Sequence, residues 1–150
     1  MASLWICSNV NSQELTSSQK DKIASASEIN TLFEKNVKSN ESLDVSELTE
    51  SVSDALSAGF INNGVYYQSF EDLMKVVNNS MRGLKSQKTN ISNKKITILS
   101  DNAALLTASG NYSVALEDGR TLTGGFAWTF VYSKINGKWK VIHSHQSNPG

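Results

Sequence analysis

A chain of 150 residues, 39% hydrophobic and with one proline, has the length and apolar content for one packed domain and is not disordered in character. Fourteen Lys/Arg balance fourteen Asp/Glu, no basic cluster is dense enough to argue for nucleic acid, and no stretch approaches the ~20 apolar residues of a membrane-crossing helix. Cys7 is the one cysteine, which removes an intrachain disulfide and a cysteine-based zinc site.

The first residues set a question of their own. Ala2 to Cys7 is apolar, and Val10-Asn11-Ser12 places small or short residues at the −3 and −1 positions of a cleavage before Gln13. Residues 1–15 are therefore either a flexible N-terminus or the remnant of a secretory leader. The leader would place the protein in the periplasm or outside the cell, and its absence in the cytoplasm. Residues 16–150 are expected to form a single domain.

Thr16 followed by Gln19 has the form of a capping box. Ile23, Ala26, Ile29, Phe33 and Val37 then recur at helical spacing and predict a long first helix with one apolar stripe. Asp44 with Glu47 predicts a second, shorter helix carrying Val45, Leu48, Val52 and Leu56. Ser69 with Asp72 starts a third, lined by Phe70, Leu73, Met74, Val77 and Met81 and closed near Gly83. Between the second and third, Phe60 to Tyr67 reads as a short hairpin turning at Asn63-Gly64.

After Gly83 the period changes to two. Strands are expected over 86–99 and 103–116, then, past a tight turn at Asp118-Gly119, over a final hairpin closed by Asn136-Gly137. Gly110, Gly124 and Gly125 interrupt these strands as bends or bulges do in a sheet that curls hard. The whole is an α+β fold: N-terminal helices packed on a strongly curved antiparallel sheet.

Counting outward from Asn136-Gly137 as a two-residue turn sets Tyr132 opposite Val141, Phe130 opposite His143 and Trp128 opposite His145. One face then carries Trp128, Phe130, Tyr132 and Trp139 with both imidazoles. Counting across Asp118-Gly119 adds Leu105, Thr107, Ser109 and Asn111. Large apolar walls with a few polar atoms are the character of a ligand pocket, and equally of a plain core. The ligand-binding set expected on this count is Asn111, Trp128, Phe130, His143 and His145, with His143 and His145 as the candidate bases of any catalysis. Metal binding is not expected, because the chain's two histidines have no third ligand at strand centres, and no cofactor is expected.

The order of elements, with the ending Gly137-Lys138-Trp139 through His143-Ser144-His145-Gln146-Ser147, resembles the superfamily that holds nuclear transport factor 2, ketosteroid isomerase and the SnoaL-like cyclases. The likeness covers about residues 16–147 and is nearest to small bacterial SnoaL-like proteins. It extends to the association (hub) domain of calcium/calmodulin-dependent protein kinase. The resemblance implies a curled cone, a pocket between sheet and helices, and a homodimer, and it adds Tyr66, just after the short hairpin, to the ligand-binding set as a residue of the pocket's rim. Two departures bear on activity. Asp54-Ala55 is followed by Ala58-Gly59-Phe60 where isomerase-like members carry a carboxylate base, and Gln146 stands where the hub domain has an arginine. The expected function is binding of a small, largely apolar molecule by a dimer, without nucleic acid or membrane. The alternatives are a cofactor-free isomerase, dehydratase or cyclase with a histidine base, and a hub-like assembly module.

Overall fold

The computed structural model describes residues 14–149. The leader expectation for residues 1–12 lies outside them. Among the described residues no helix is long and apolar enough to cross a membrane. Helix α1 (Ser17–Glu41) begins at the expected box: Gln19 N donates to Thr16 Oγ1 at 3.2 Å and Thr16 N to Gln19 Oε1 at 2.8 Å. Two orphan donors of the first turn are thereby satisfied. Ile29 and Phe33, one turn apart, are buried, whereas Ile23 is exposed, as is every residue from 17 to 24.

The second helix is much shorter than its pattern. Asp44 Oδ1 accepts from Ser46 N at 3.0 Å and Ser46 Oγ at 2.7 Å, a local turn that competes with capping. Helix α2 spans only Leu48–Ser51. Strands β1 (Phe60–Asn62) and β2 (Val65–Tyr67) form the small hairpin, with Asn63 and Gly64 both at positive φ. Helix α3 (Phe70–Ser80) follows, capped by Ser69.

Four long strands complete the chain: β3 (Leu84–Ser100), β4 (Ala103–Leu116), β5 (Thr121–Ile135) and β6 (Lys138–Ser147). The sheet order is β2-β1-β6-β5-β4-β3, antiparallel except that β1 runs parallel to β6, Ile61 beside His145. Attachment of the small hairpin to β6 makes six strands of the four-stranded meander read from the sequence. Helix α1 packs on β3, α2 on β6 and α3 on β1 and β2. All three cover the same face, whose core is Ile29, Phe33, Phe60, Leu73, Leu106, Phe126, Tyr132, Trp139 and Val141.

The interstrand register differs from the count at two places, by one residue each. The β4–β5 loop has three residues, not two: Leu116 N donates to Arg120 O at 2.8 Å and Gly119 N to Leu116 O at 3.1 Å, with Gly119 at φ 90°. A left-handed glycine closing a type I turn makes this loop. Trp128 therefore pairs with Ala108 rather than Ser109. In the last hairpin Tyr132 pairs with Val141 as expected, but Val131 then pairs with His143, so Ile142 is an extra residue and a bulge. Gly124 and Gly125 form no bulge; the β4–β5 ladder is continuous from Ala103↔Ser133 to Ala115↔Thr121.

Candidate functional site

The β6 bulge decides which side chains meet. Beyond it Phe130 pairs with Ser144 and Trp128 with Gln146, while His143 pairs with Val131 and His145 with Thr129. Directly opposed residues share a face. The indole and phenyl rings therefore point under the helices with Ser144 and Gln146, and both imidazoles lie on the opposite, outer face. The expectation that Trp128, Phe130, His143 and His145 share one concavity is overturned: one inserted residue reverses the parity of every side chain after it. Asn111 and Tyr66 also belong to the outer face, Asn111 opposite Gly125 and Tyr66 opposite Ile61.

Under the helices, aromatic rings fill the interior. Phe33 meets Phe130 edge-on at 5.8 Å, Phe126 stacks on Trp128 at 4.0 Å, and Trp128 meets Phe130 edge-on at 6.2 Å. Trp128 Nε1 donates to Asn148 Oδ1 at 3.0 Å, and Asn148 N donates to Asn63 Oδ1 at 2.7 Å, strapping the chain's end across the small hairpin. The space that remains is about 60 Å³. Its polar lining is Asn36, Asn40, Ser144 and Gln146, with no ionisable side chain. The sequence singles out none of Asn36, Asn40 and Ser144, and Gln146 only by the resemblance to the hub domain, because their inward parity depends on the bulge and on the face α1 presents. Tyr132 is buried nearby; burial pushes its phenol well above the ordinary tyrosine range.

On the outer face a row crosses the sheet: Tyr66, Ile61, His145, Thr129, Thr107, Lys95. Around its centre lies an open depression of about 550 Å³ lined by Asn93, Lys95, Thr107, Ser109, Thr129, His145 and Ser147. No described element covers it, and Lys95, Thr107, Ala127 and His145 are exposed. The six strands carry seven lysines and no Asp or Glu. Among the described residues no three His, Cys, Asp or Glu side chains cluster as metal ligands.

His143 is the fixed imidazole of the pair. Its Nδ1 lies 2.8 Å from the carbonyl oxygen of Gly59. A carbonyl only accepts, so Nδ1 carries the proton and Nε2 is left with a lone pair in the neutral ring. Gly59 itself is buried, at φ 70°, beneath the Tyr66 ring; a Cβ there would lie 2.6 Å from Tyr66 Cε2. The Asp54 carboxylate accepts from Phe70 N at 3.1 Å, which makes it a second cap for α3.

The fold is shared with several solved structures at low identity. A nuclear transport factor 2-like superfamily protein from Salmonella enterica superposes with TM-score 0.76 at 17% identity, covering 86% of this chain and 94% of that one. A type 2 hexachlorocyclohexane dehydrochlorinase, LinA, gives 0.74 at 16%, covering 87% and 89%. A protein with a cystatin-like fold from Caulobacter vibrioides gives 0.70 at 14%, covering 83% and 89%. No curated protein sequence is significantly similar. Residues 25–150 match the calcium/calmodulin dependent protein kinase II association domain family. Over nearly its whole length, then, on the nuclear transport factor 2-like fold, the chain belongs to that association domain family.

Proposed function

We propose that this chain is an association module that pairs with a second copy of itself through the outer face of β3–β6. The observation that carries this reading is the contrast between the two faces. The space left in the interior is about 60 Å³ and no ionisable side chain lines it, room for a water or two against the roughly 300–1,000 Å³ of small-molecule sites. The outer face is a broad array of mostly uncharged side chains that no described element covers, centred on Thr107 and Thr129. No ionisable side chain that could carry a proton lines that space, and both histidines are on the other side of the sheet. The family's association-domain description supports the same reading.

Sedimentation tests it. The chain should sediment as a dimer or a multiple of it, not at its own 16.4 kDa. Thr129→Arg, which places an uncompensated charge at the centre of the paired face, should return it toward that single-chain mass with unchanged circular dichroism. Single-chain mass for the unaltered protein across the micromolar range would overturn the proposal.

A further inference from the structure

We infer that His145 is the acid sensor of the self-pairing: protonation of its imidazole separates the two copies. The inference rests on the pairing face proposed above and names what controls it. His145 is exposed in the single chain, where water can solvate a protonated ring. Pairing takes that ring out of water, and a cation is tolerated there only beside an anion. Its own copy supplies none. Across the strands His145 is flanked by Ile61 on β1 and Thr129 on β5, and along β6 on the same face by His143 and Ser147.

The second copy supplies none either, whatever the direction of the twofold axis. Neighbouring strands lie about 4.8 Å apart, so in the row His145, Thr129, Thr107, Lys95 each end stands about 7 Å from the midpoint between the threonines. A twofold axis through that midpoint carries every position to one at the same distance from it. The side chains about 7 Å out on this face are Lys95, Leu105, Ser109, Ala127, Val131 and His145 itself. An axis along the strands sets His145 over Lys95 of the second copy, and an axis along the row sets the two His145 rings over one another. The remaining members of the ring are uncharged. Farther out the face adds Lys88, opposite Ser113, and Lys138, opposite Ile135, while the Lys140 ammonium is engaged by the backbone oxygen of Glu50. No strand residue is Asp or Glu. Asp101 and Glu117 lie in the turns at the two ends of β4, roughly 20 and 33 Å from Thr107 along the strand.

Proton uptake therefore favours the separated chains. Imidazoles as a class take up their proton near pH 6.5, so pairing holds above that range and weakens as pH falls through it. A twofold pair contains the ring twice, so a tenfold fall in its neutral fraction weakens pairing about a hundredfold.

The experiment is a dilution series followed by sedimentation at pH 7.5 and 5.5 and one ionic strength, with circular dichroism reporting the fold at both. Its readout is the ratio of the two dissociation constants, which is independent of a variant's basal affinity. A ratio of about a hundred is expected for the unaltered chain. A ratio near one is expected both for His145→Gln, which cannot charge, and for His145→Lys, which stays charged. Dilution calorimetry of the unaltered chain at pH 6, in two buffers of different ionisation heat, counts the protons directly: roughly one to two should be taken up per pair separated. Equal dissociation constants at the two pH values, a His145→Gln chain that keeps the unaltered ratio, or separation without proton uptake would overturn the sensor alone. Single-chain mass already at pH 7.5 would overturn the pairing, and the sensor with it.

Discussion

The phenol ring of Tyr112 lies across Gly124, its partner on the next strand: a Cβ built on Gly124 would stand 2.5 Å from the phenol oxygen and 2.7 Å from Cζ. Two strands' width is thereby taken by one ring, and Phe126 does the same over Gly110, with Cζ 2.9 Å from a Cβ built there. The two glycines make room for rings; their φ values need no glycine. Gly124→Ala should cost about 1–3 kcal/mol by overpacking. Gly110→Ala should cost more, because its Cβ also meets the backbone carbonyl of Asn90, which cannot turn aside. Urea denaturation checks both. In a Tyr112→Leu background the cost of Gly124→Ala should shrink, a coupling that a double-mutant cycle isolates.

How far the sequence could be read follows from the same strands. Asn63-Gly64 and Asn136-Gly137 announce their turns because two successive positive φ angles select those residues. Within a stretch of strand free of bulges period two holds, so His143 with His145, and Trp128 with Phe130, share a face as their spacing implies. Between strands, parity depends on single residues that carry no composition signal. Asp118-Gly119 serves a two-residue or a three-residue loop equally well, and nothing about Ile142 marks it as the extra residue of a bulge. The fold was legible and the site was not: hydrophobic pattern fixes the elements, while the meeting of rings and imidazoles turns on a one-residue offset.

Asp54 caps a helix that begins sixteen residues further along the chain. Both its oxygens lie 3.1 Å from Phe70 N, beside the Ser69 cap that accepts from Asp72 N at 3.1 Å. Removing either acceptor leaves the other. Asp54→Ala and Ser69→Ala should each cost about 0.5–1 kcal/mol, and together more than their sum, since only the double variant leaves the first turn of α3 without a side-chain acceptor. Hydrogen exchange at the first amides of α3 separates this from a general loss of stability.

The Lys94 ammonium ties β3 to α1, 3.2 Å from Glu34 Oε1 and 5.6 Å from the centre of the Phe33 ring. Its hydrogen bond, with that of Asn30, holds the Glu34 carboxyl below the ordinary value of 4.5. A folded-state value that is depressed means the unfolded chain takes up the proton first as pH falls. The stabilisation is present above about pH 4.5 and is lost as pH drops through the folded-state value. Glu34→Gln should flatten that part of the acid limb of a stability–pH profile. It should change the urea midpoint little at pH 7, since the pair is exposed and screened.

Tyr132 presents the opposite case, a buried acid with nothing to bond. Its hydroxyl has no hydrogen-bond partner among the described residues, as with the Trp139 indole nitrogen, and the residue is 1% exposed. A buried donor left unmade costs roughly 1–3 kcal/mol, so deleting the oxygen removes a penalty rather than a bond. Tyr132→Phe should match or exceed the unaltered protein, by up to about 1 kcal/mol in urea at pH 7. The pH dependence gives an independent check with a definite sign. Burial raises the phenol's folded-state pKa above its ordinary 10.0, so above about pH 10 the unfolded chain releases a proton that the folded chain retains, and stability falls as pH rises. The phenylalanine variant has no such proton to lose. Its advantage should therefore widen between pH 9 and 11, and an advantage that stayed constant would mean that the hydroxyl reaches water.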